Sequence, residues 1–266
     1  MPTYVVYSSQ QNGSETVTLY PMSGSKQVAG WMFQILPYIE QDNLWQSPGH
    51  EVIGKTVSIY FCPSRREPMT APYDINRYTA FNPACPAQIF IGKNDYAGSN
   101  YDGTGIFRPL PIVLTKDGKP PTVEGQGGAL PKGVQAGSVL RPADVKDGLS
   151  NTLMVGEKRL HPDQYAEPDN YGDDDGFTAG YCPDTIRSTT VVPGDPPSGG
   201  PPQPDSTAPP LTRWNDWSFG SSHPAGMNAL FGDGSVRLIT YSVDATLFSR
   251  LGHRSDGAAV DLSKLE

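Results

Sequence analysis

Ser221-Ser-His-Pro-Ala-Gly-Met-Asn-Ala-Leu-Phe-Gly-Asp-Gly-Ser-Val-Arg-Leu-Ile-Thr240 is the stretch that most directly decides the fold of this 266-residue chain. Two apolar runs, residues 227–231 and 236–240, flank a Gly-Asp-Gly-Ser turn. Short β-prone runs separated by a glycine-containing turn are typical of a β-hairpin. Gly234 supplies the positive φ that a tight turn requires. The sequence therefore predicts an antiparallel hairpin centred on residues 232–235.

His223 precedes this hairpin, and Asp233 lies in its turn after nine intervening residues. Imidazole and carboxylate groups often combine in metal and acid-base sites. A strand rises about 3.3 Å per residue, so the two side chains would lie roughly 20 Å or more apart and would not share a ligand. We predict that Asp233 and Gly234 form the turn and that His223 anchors the strand entry by hydrogen bonds. A metal or ligand role for His223 is the alternative.

Segments around the hairpin predict further short elements. Residues 244–251 indicate a helix with Asp244 as its N-cap, and residues 152–155 indicate a buried strand that Glu157 ends. An apolar pattern with helical spacing, interrupted by a proline, predicts a short helix over residues 37–45. Strands are expected over residues 4–7, 16–20 and 56–61, the last of which would deliver Cys62 to a loop.

Glycine and proline, with 29 and 27 residues, make up about a fifth of the chain. Because neither fits the interior of a regular helix, short elements joined by long loops are expected. Residues 193–210 contain eight prolines and three glycines, which predicts a mobile, extended excursion that projects from the body. The chain is long enough for a substantial core, and one domain over residues 1–266 is the preferred organisation.

Charge and cysteine content argue against some classes of function. The chain carries 20 basic and 28 acidic residues, a net charge of −8, and no Lys/Arg run that could neutralise a phosphate backbone. Nucleic-acid binding is therefore not expected. Cys62, Cys85 and Cys182 include no CxxC pair, and zinc held by these three would need a fourth ligand from elsewhere. A Cys62–Cys85 disulfide and unpaired thiols both fit the pattern.

An acidic stretch, Asp169-Asn-Tyr-Gly-Asp-Asp-Asp-Gly176, offers the hard oxygen ligands that calcium requires. Asp169, Asp173 and Asp175 are the candidate ligands. The closing glutamate of an EF-hand loop is missing, so a plain solvated acidic loop is the simpler interpretation.

Trp214 and Trp217 lie just after the proline-rich stretch and are the candidate aromatic pair for binding a sugar or another ligand. Neither a Gly-x-Ser-x-Gly elbow nor a phosphate-binding glycine loop occurs in the sequence. These patterns give no support for a serine hydrolase or a nucleotide-binding enzyme.

Five segments, in order, resemble the landmarks of one protein family. They are Gly30-Trp-Met-Phe-Gln-Ile-Leu-Pro-Tyr-Ile-Glu-Gln-Asp-Asn-Leu44, Tyr60-Phe-Cys-Pro-Ser-Arg65, Asn94-Asp-Tyr-Ala-Gly-Ser-Asn100, Val145-Lys-Asp-Gly-Leu-Ser-Asn-Thr-Leu-Met-Val-Gly-Glu157, and the spacing from His223 to Asp233-Gly234. Together they resemble the prepilin-type DUF1559, or H-X9-DG, family, which is abundant in planctomycete-like bacteria. The resemblance runs from about residue 30 to residue 266.

This resemblance implies an α+β fold: a pseudopilin-like globular head with an antiparallel β-sheet, few short helices and long loops. It implies a non-enzymatic, structural or interaction role in a type II secretion or type IV pilus-like system or a cell-surface assembly, in the periplasm or outside the cell. Other pilin-like or secretion-system proteins, and surface polysaccharide, are the implied partners. The alternatives are a carbohydrate-binding module and a metal-dependent hydrolase that uses His223 with Asp173 or Asp175.

The start of the sequence departs from the family pattern. Family members begin with a prepilin leader and a long apolar helix, whereas this sequence opens with Met1-Pro-Thr-Tyr-Val-Val-Tyr-Ser and turns polar. It contains no run of the roughly 18 to 20 apolar residues that a bilayer span needs. We expect either a head domain that works without its anchor or a truncated product.

Overall fold

The computed structural model of the protein describes residues 3–6, 18–21, 29–47, 49–73, 89–99, 104–107, 140–168, 170, 172–180, 182–192, 198–206 and 217–265. The strands in these ranges are β1 (Thr3–Val6), β2 (Thr18–Pro21), β3 (Thr70–Tyr73), β4 (Ile89–Gly92), β5 (Tyr96–Ser99), β6 (Leu153–Glu157), β7 (Ile186–Arg187), β8 (Val191–Val192), β9 (Ser198–Gly199), β10 (Gln203–Pro204), β11 (Gly220–Ser221), β12 (Gly226–Phe231) and β13 (Val236–Thr240). The α-helices are α1 (Trp31–Gln34), α2 (Asp42–Gln46), α3 (Gly49–Val52) and α4 (Ala245–Gly252). Short 3₁₀ helices cover Leu36–Ile39, Ser58–Tyr60, Pro142–Asp144, Leu149–Asn151, Pro162–Gln164 and Leu262–Lys264.

A five-stranded sheet with the order β13-β12-β6-β5-β7 organises the fold. Its neighbours pair antiparallel except β5 and β7, which pair parallel. The described ranges also contain four two-stranded pairs: β1-β2, β3-β4, β8-β9 and β10-β11. The fold is therefore α+β, rich in β-structure and with short helices, as the family resemblance implied.

Two apolar clusters pack around this sheet. The first, here called the α4 core, joins α4 to β12, β6 and β5 through residues that include Phe248, Phe231 and Ala97. The second, here called the N-terminal core, joins α1 and the following turns to Phe177, and Tyr96 packs against it. Successive side chains on a strand point to opposite faces. Tyr96 and Ala97 are neighbours on β5, so the two cores lie on opposite sides of that strand.

The predicted C-terminal hairpin and helix are confirmed. β12 and β13 pair antiparallel from Gly226↔Thr240 to Leu230↔Val236, and Gly234 has φ +86° in the turn. The Asp244 carboxylate accepts hydrogen bonds from the backbone N–H groups of Thr246 and Leu247 at the start of α4. The two strands expected near the N-terminus, over residues 4–7 and 16–20, also form as β1 and β2, and they pair antiparallel.

Two predictions for the N-terminal half were wrong. Residues 37–45 do not form one helix: the 3₁₀ helix Leu36–Ile39 ends at Glu40, whose φ of +61° breaks the helical path before α2. Residues 56–61 do not form a strand, because Ser58–Tyr60 is a 3₁₀ helix. Val57 and Tyr60, three residues apart, share the buried side, and the Tyr60 hydroxyl donates to the Met32 carbonyl oxygen at 2.6 Å.

The expected projecting excursion is also corrected for residues 198–206. β9 pairs with β8, β10 pairs with β11, and the Asp205 carboxylate is buried against the body. It accepts hydrogen bonds from the Leu160 N–H at 2.8 Å and the Tyr165 hydroxyl at 2.6 Å. Proline-rich composition predicts an extended backbone, but it does not show that one carboxylate ties the segment down.

No helix in the described part of the chain combines the length and the apolar character needed to cross a bilayer.

Candidate functional site

Four of the five segments that resemble family landmarks meet at one place. The side chains that they bring there are Cys62, after the 3₁₀ helix Ser58–Tyr60, Asp95, before β5, Glu157, at the end of β6, and His223, before β12. The Cys62 backbone N–H donates to Asp95 Oδ2 at 2.9 Å. Cys62 Sγ lies 3.5 Å from His223 Nε2, which lies 3.4 Å from Glu157 Oε1. We call Cys62, Glu157 and His223 the Cys-Glu-His cluster.

Backbone hydrogen bonds position the histidine and the glutamate. Glu157 Oε2 accepts the Asn228 N–H of β12 at 2.8 Å. The Tyr241 hydroxyl donates to the His223 carbonyl oxygen at 2.7 Å and lies 3.0 Å from that of Ser221. The His223 N–H donates to Ser221 Oγ at 3.2 Å. These contacts agree with the predicted anchoring of the strand entry, and they leave the imidazole ring directed at the cluster.

Burial and charge keep the Cys62 thiol protonated. Cys62 and Glu157 are each 1% exposed, whereas the His223 side chain is 30% exposed. Burial, with the nearby Glu157 carboxylate adding to it, raises the pKa of the Cys62 thiol above its ordinary value. A reactive nucleophilic cysteine has the opposite property, a lowered pKa. The cluster therefore does not have the electrostatics of a cysteine-nucleophile site.

The geometry also differs from that of a nucleophile-histidine-carboxylate triad. In a triad, one ring nitrogen faces the nucleophile and the other faces the carboxylate. Here the thiol and the carboxylate both face Nε2 of His223. Sulfur, nitrogen and oxygen atoms all lie within 4.8 Å of one another. Three different donor atoms around one point are an arrangement that can hold a metal ion.

A group of buried ion pairs lies beside this cluster, and we call it the buried ion-pair cluster. Its members are Arg65, Arg66, Lys93, Lys158, Asp95, Asp173 and Asp205, whose side chains are at most 5% exposed. Asp95 links it to the Cys-Glu-His cluster, because it pairs with Arg66 at 2.7 Å and accepts the Cys62 N–H. Lys158 follows Glu157 directly in the chain. The two clusters are therefore adjacent, and Asp95 contacts residues of both.

Asp173, a predicted calcium ligand, is a counter-ion within the buried ion-pair cluster. Its Oδ1 lies 2.9 Å from Lys158 Nζ, and its Oδ2 lies 2.7 Å from Arg66 and 3.2 Å from Lys93. Burial alone would raise the pKa of Asp173, but Arg66, Lys158 and Lys93 together hold it well below its ordinary value. Both oxygens already face cations in the described part of the chain. Asp169 lies outside the described residues.

Asp175, another predicted calcium ligand, lies in a separate group with Cys182 and Asp184, whose donor atoms also fall within 4.8 Å. Asp175 Oδ1 accepts the Tyr73 hydroxyl at 3.1 Å, and Asp184 Oδ1 accepts the N–H groups of Asp175 and Gly176. Burial and the nearby Asp175 carboxylate raise the pKa of Asp184 well above its ordinary value. The two backbone hydrogen bonds to Asp184 give this group a structural role.

The cysteines in the described ranges, Cys62 and Cys182, are both buried free thiols. This outcome matches the second of the two alternatives for Cys62, and Cys85 lies outside the described residues.

The structure separates the two ends of the His223 and Asp233 motif, as predicted. Asp233 is in the exposed turn, where its Oδ1 accepts the Ser235 N–H at 2.9 Å and the Ser235 hydroxyl at 2.7 Å. These two hydrogen bonds lower the pKa of Asp233. His223 lies beyond the other end of β12. The carboxylate that faces His223 belongs to Glu157, and not to Asp173 or Asp175 as the hydrolase alternative required.

The predicted aromatic pair is only half described. Trp217 is partly buried, and its backbone bonds with Ser188 and Ser198 hold it in the body. Trp214 lies outside the described residues.

The sequence analysis missed Cys62 and Glu157 as partners of His223. They are far from it in the chain, and Cys62 is separated from His223 by 161 positions. One signal pointed to them: each lies within a segment that resembles a family landmark.

Comparison with known proteins gives one match. A family model described as "Protein of unknown function (DUF1559)" matches residues 5–246. No curated protein and no solved structure matches the chain. The match covers most of the chain and includes every residue of the Cys-Glu-His cluster. The protein therefore belongs to the DUF1559 family.

Proposed function

We propose that this protein is a non-catalytic, extracytoplasmic head domain of pseudopilin type. Its role is structural or interactive, in a type II secretion system, a type IV pilus-like system or a related surface assembly. Membership of the DUF1559 family supports this proposal, together with the prepilin-type resemblance of the landmark segments. Its partners are pilin-like or secretion-system proteins.

The observation that carries the proposal is where the landmark side chains lie. Arg65 and Asp95 are buried and paired within the buried ion-pair cluster, and Glu157 is 1% exposed. Removing one partner of a buried ion pair leaves an uncompensated buried charge and is strongly destabilising, so each partner holds the other in place. The landmarks therefore build a fixed framework, which suits a part that must present the same surface to its neighbours.

The chemistry of the Cys-Glu-His cluster supports a non-catalytic role. The pKa of the Cys62 thiol is raised by burial, and the imidazole faces both partners with one nitrogen. Neither property favours covalent catalysis.

Cross-linking in cells tests the proposal. The gene with its natural upstream sequence is expressed in the source bacterium, with a photo-reactive amino acid in place of Tyr38 or Ile59. These side chains are 87% and 61% exposed beside the N-terminal core. Lys264 is the matched control position, because its side chain is 73% exposed and the adjoining Leu262 and Leu265 pack on the α4 core.

The expected result is a protein in the cell-envelope fraction that cross-links to pilin-like proteins from Tyr38 or Ile59 and not from Lys264. A protein recovered in the cytosol would overturn the location. Cross-links that are the same from all three positions, or that capture no pilin-like protein, would overturn the role.

A further inference from the structure

One buried carboxylate oxygen in the Cys-Glu-His cluster lacks a hydrogen-bond donor. Glu157 is 1% exposed; its Oε2 accepts the Asn228 N–H, but its Oε1 has no hydrogen-bond partner in the described part of the chain. Nε2 of His223 approaches to 3.4 Å without hydrogen-bond geometry. A buried polar oxygen is costly unless a donor or a cation meets it. Oε1 therefore points to a cation that the protein binds at this place.

The spacing of the donor atoms matches the spacing of ligands around a tetrahedral zinc ion. Zinc bonds of about 2.3 Å to sulfur and about 2.0–2.1 Å to nitrogen and oxygen would place sulfur and nitrogen about 3.6 Å apart. The same bonds would place nitrogen and oxygen about 3.3 Å apart. The observed separations are 3.5 Å for Cys62 Sγ to His223 Nε2 and 3.4 Å for His223 Nε2 to Glu157 Oε1. These two separations are thus already at ligand spacing, and all three donor atoms lie within 4.8 Å of one another.

We propose that Cys62 Sγ, Glu157 Oε1 and His223 Nε2 bind one zinc ion. The Cys62 thiol releases its proton to solvent as its sulfur bonds to the ion, because the thiolate is the form that binds a metal. The donor set selects the metal: thiolate and imidazole disfavour calcium and magnesium, and a mixed sulfur, nitrogen and oxygen set suits zinc. Three protein ligands leave the fourth tetrahedral position for water or a ligand. Of the three side chains, that of His223 is the most exposed, at 30%. The site goes beyond the proposed structural role and does not depend on it.

The surrounding structure holds the ligands in place before the ion binds. The Cys62 N–H is fixed by Asp95, Glu157 by Asn228, and the His223 backbone by Tyr241 and Ser221. Fixed ligands reduce the ordering cost of binding. The other group with ligand spacing, Asp175 with Cys182 and Asp184, has its carboxylates engaged by Tyr73 and by two backbone N–H groups. The Cys-Glu-His cluster is therefore the better zinc site of the two.

Metal binding to the full chain tests the proposal. The protein is stripped with a chelator and titrated with Zn²⁺ against a chromophoric competitor, and separately loaded with Co²⁺ as a spectroscopic probe. We expect one zinc per chain, and in the cobalt form a sulfur-to-cobalt charge-transfer band with the visible bands of a tetrahedral ion. Glu157→Gln and His223→Gln are each expected to lower zinc affinity at least about 100-fold, since even residues outside the ligand set change affinity about 10- to 100-fold.

Two cysteine variants make the assignment specific. Cys62→Ser is expected to lose the charge-transfer band, and Cys182→Ser, which removes the other described buried thiol, is expected to keep it. A band that survives in Cys62→Ser, or that disappears in Cys182→Ser alone, would overturn the proposal.

Thermal melts of the wild type and of His223→Gln test the site even if the variants of buried residues do not fold. His223 is the most exposed ligand, so the His223→Gln variant is the one best suited to keep the fold, and circular dichroism checks that it does. Zn²⁺ is expected to raise the Tm of the wild-type protein, because a ligand that binds only the folded state stabilises it. The Tm of His223→Gln is expected to stay unchanged. Equal shifts in both proteins, or no shift in the wild type, would contradict the site.

Discussion

Replacing Asp173 by asparagine is the sharpest test of the buried ion-pair cluster. The change keeps the shape of the side chain and removes the charge that three buried cations share: Lys158 at 2.9 Å, Arg66 at 2.7 Å and Lys93 at 3.2 Å. Removing one partner of a buried ion pair costs about 3–5 kcal/mol. Because whole domains are stable by only about 5–15 kcal/mol, this is a large fraction of the total.

The contacts that the three cations keep in Asp173→Asn decide where the loss of stability falls within about 3–5 kcal/mol. Arg66 keeps Asp95 as a partner at 2.7 Å, and Lys93 keeps the carbonyl oxygens of Glu167 and residue 173. Lys158 keeps the Gly172 carbonyl oxygen, and burial already lowers its pKa, so it can lose its proton in the variant. At about 2–4 °C per kcal/mol for a protein of this size, we expect the Tm of Asp173→Asn to fall by roughly 6–20 °C at neutral pH.

The pH dependence gives an independent check on the same carboxylate. Since the pKa of folded Asp173 lies well below its ordinary value, its stabilising contribution is complete above the unfolded value of about 3.9 and is lost as pH falls toward the folded value. The difference in unfolding free energy between wild type and variant is therefore expected to narrow as pH is lowered from about 5.

Urea unfolding followed by circular dichroism at several pH values measures both effects. Asp163→Asn is the matched control, because it makes the same chemical change at an exposed position, and it is expected to stay within about 0.5 kcal/mol of the wild type. The reasoning is refuted if Asp173→Asn loses less than about 1 kcal/mol at pH 7, or if the difference does not change with pH.

Three further changes test the fold. Gly220→Ala would place a methyl group 1.9 Å from the Gln203 carbonyl oxygen. We therefore expect the unfolding free energy to fall by about 1–3 kcal/mol and proteolysis at residues 198–206 to become faster. Unchanged cleavage would show that β10 does not depend on this close approach. Asp244→Ala removes the cap of α4 and is expected to cost about 1 kcal/mol in urea unfolding, whereas Asp244→Asn, which still caps, should cost clearly less. Phe248→Ala empties a fully buried position in the α4 core and is expected to cost about 3–5 kcal/mol; a loss similar to that of Phe248→Leu would argue against tight packing there.

Local patterns in the sequence predicted the elements whose causes are local. The C-terminal hairpin follows from two apolar runs and a turn glycine, and α4 follows from its cap at Asp244. The helix predicted over residues 37–45 failed because Glu40 takes a left-handed φ that its neighbours in sequence do not reveal. The segment around Asp205 was misjudged because its anchor, Arg65, lies 140 positions away.

The candidate site shows the same limit. His223 was identified from its spacing to Asp233. These two residues lie at opposite ends of β12, so Asp233 is not part of the Cys-Glu-His cluster. Cys62 and Glu157 approach His223 only through the pairing of β6 with β12 and the packing of the turn after residue 60. Pairwise contacts over such distances in the chain cannot be read from composition, periodicity or motif spacing in one sequence.

The separation of 161 positions between Cys62 and His223 has a consequence for the order of folding. Contacts between distant parts of a chain form slowly, because a long loop must close before they are made. During synthesis, Cys62 leaves the ribosome long before His223, and the cluster cannot assemble until the 161 positions that separate them have been synthesised. The hairpin of β12 and β13, closed by a four-residue connection, has no such requirement. In refolding, the hairpin should therefore form early, and the assembled cluster should mark a chain that has finished folding.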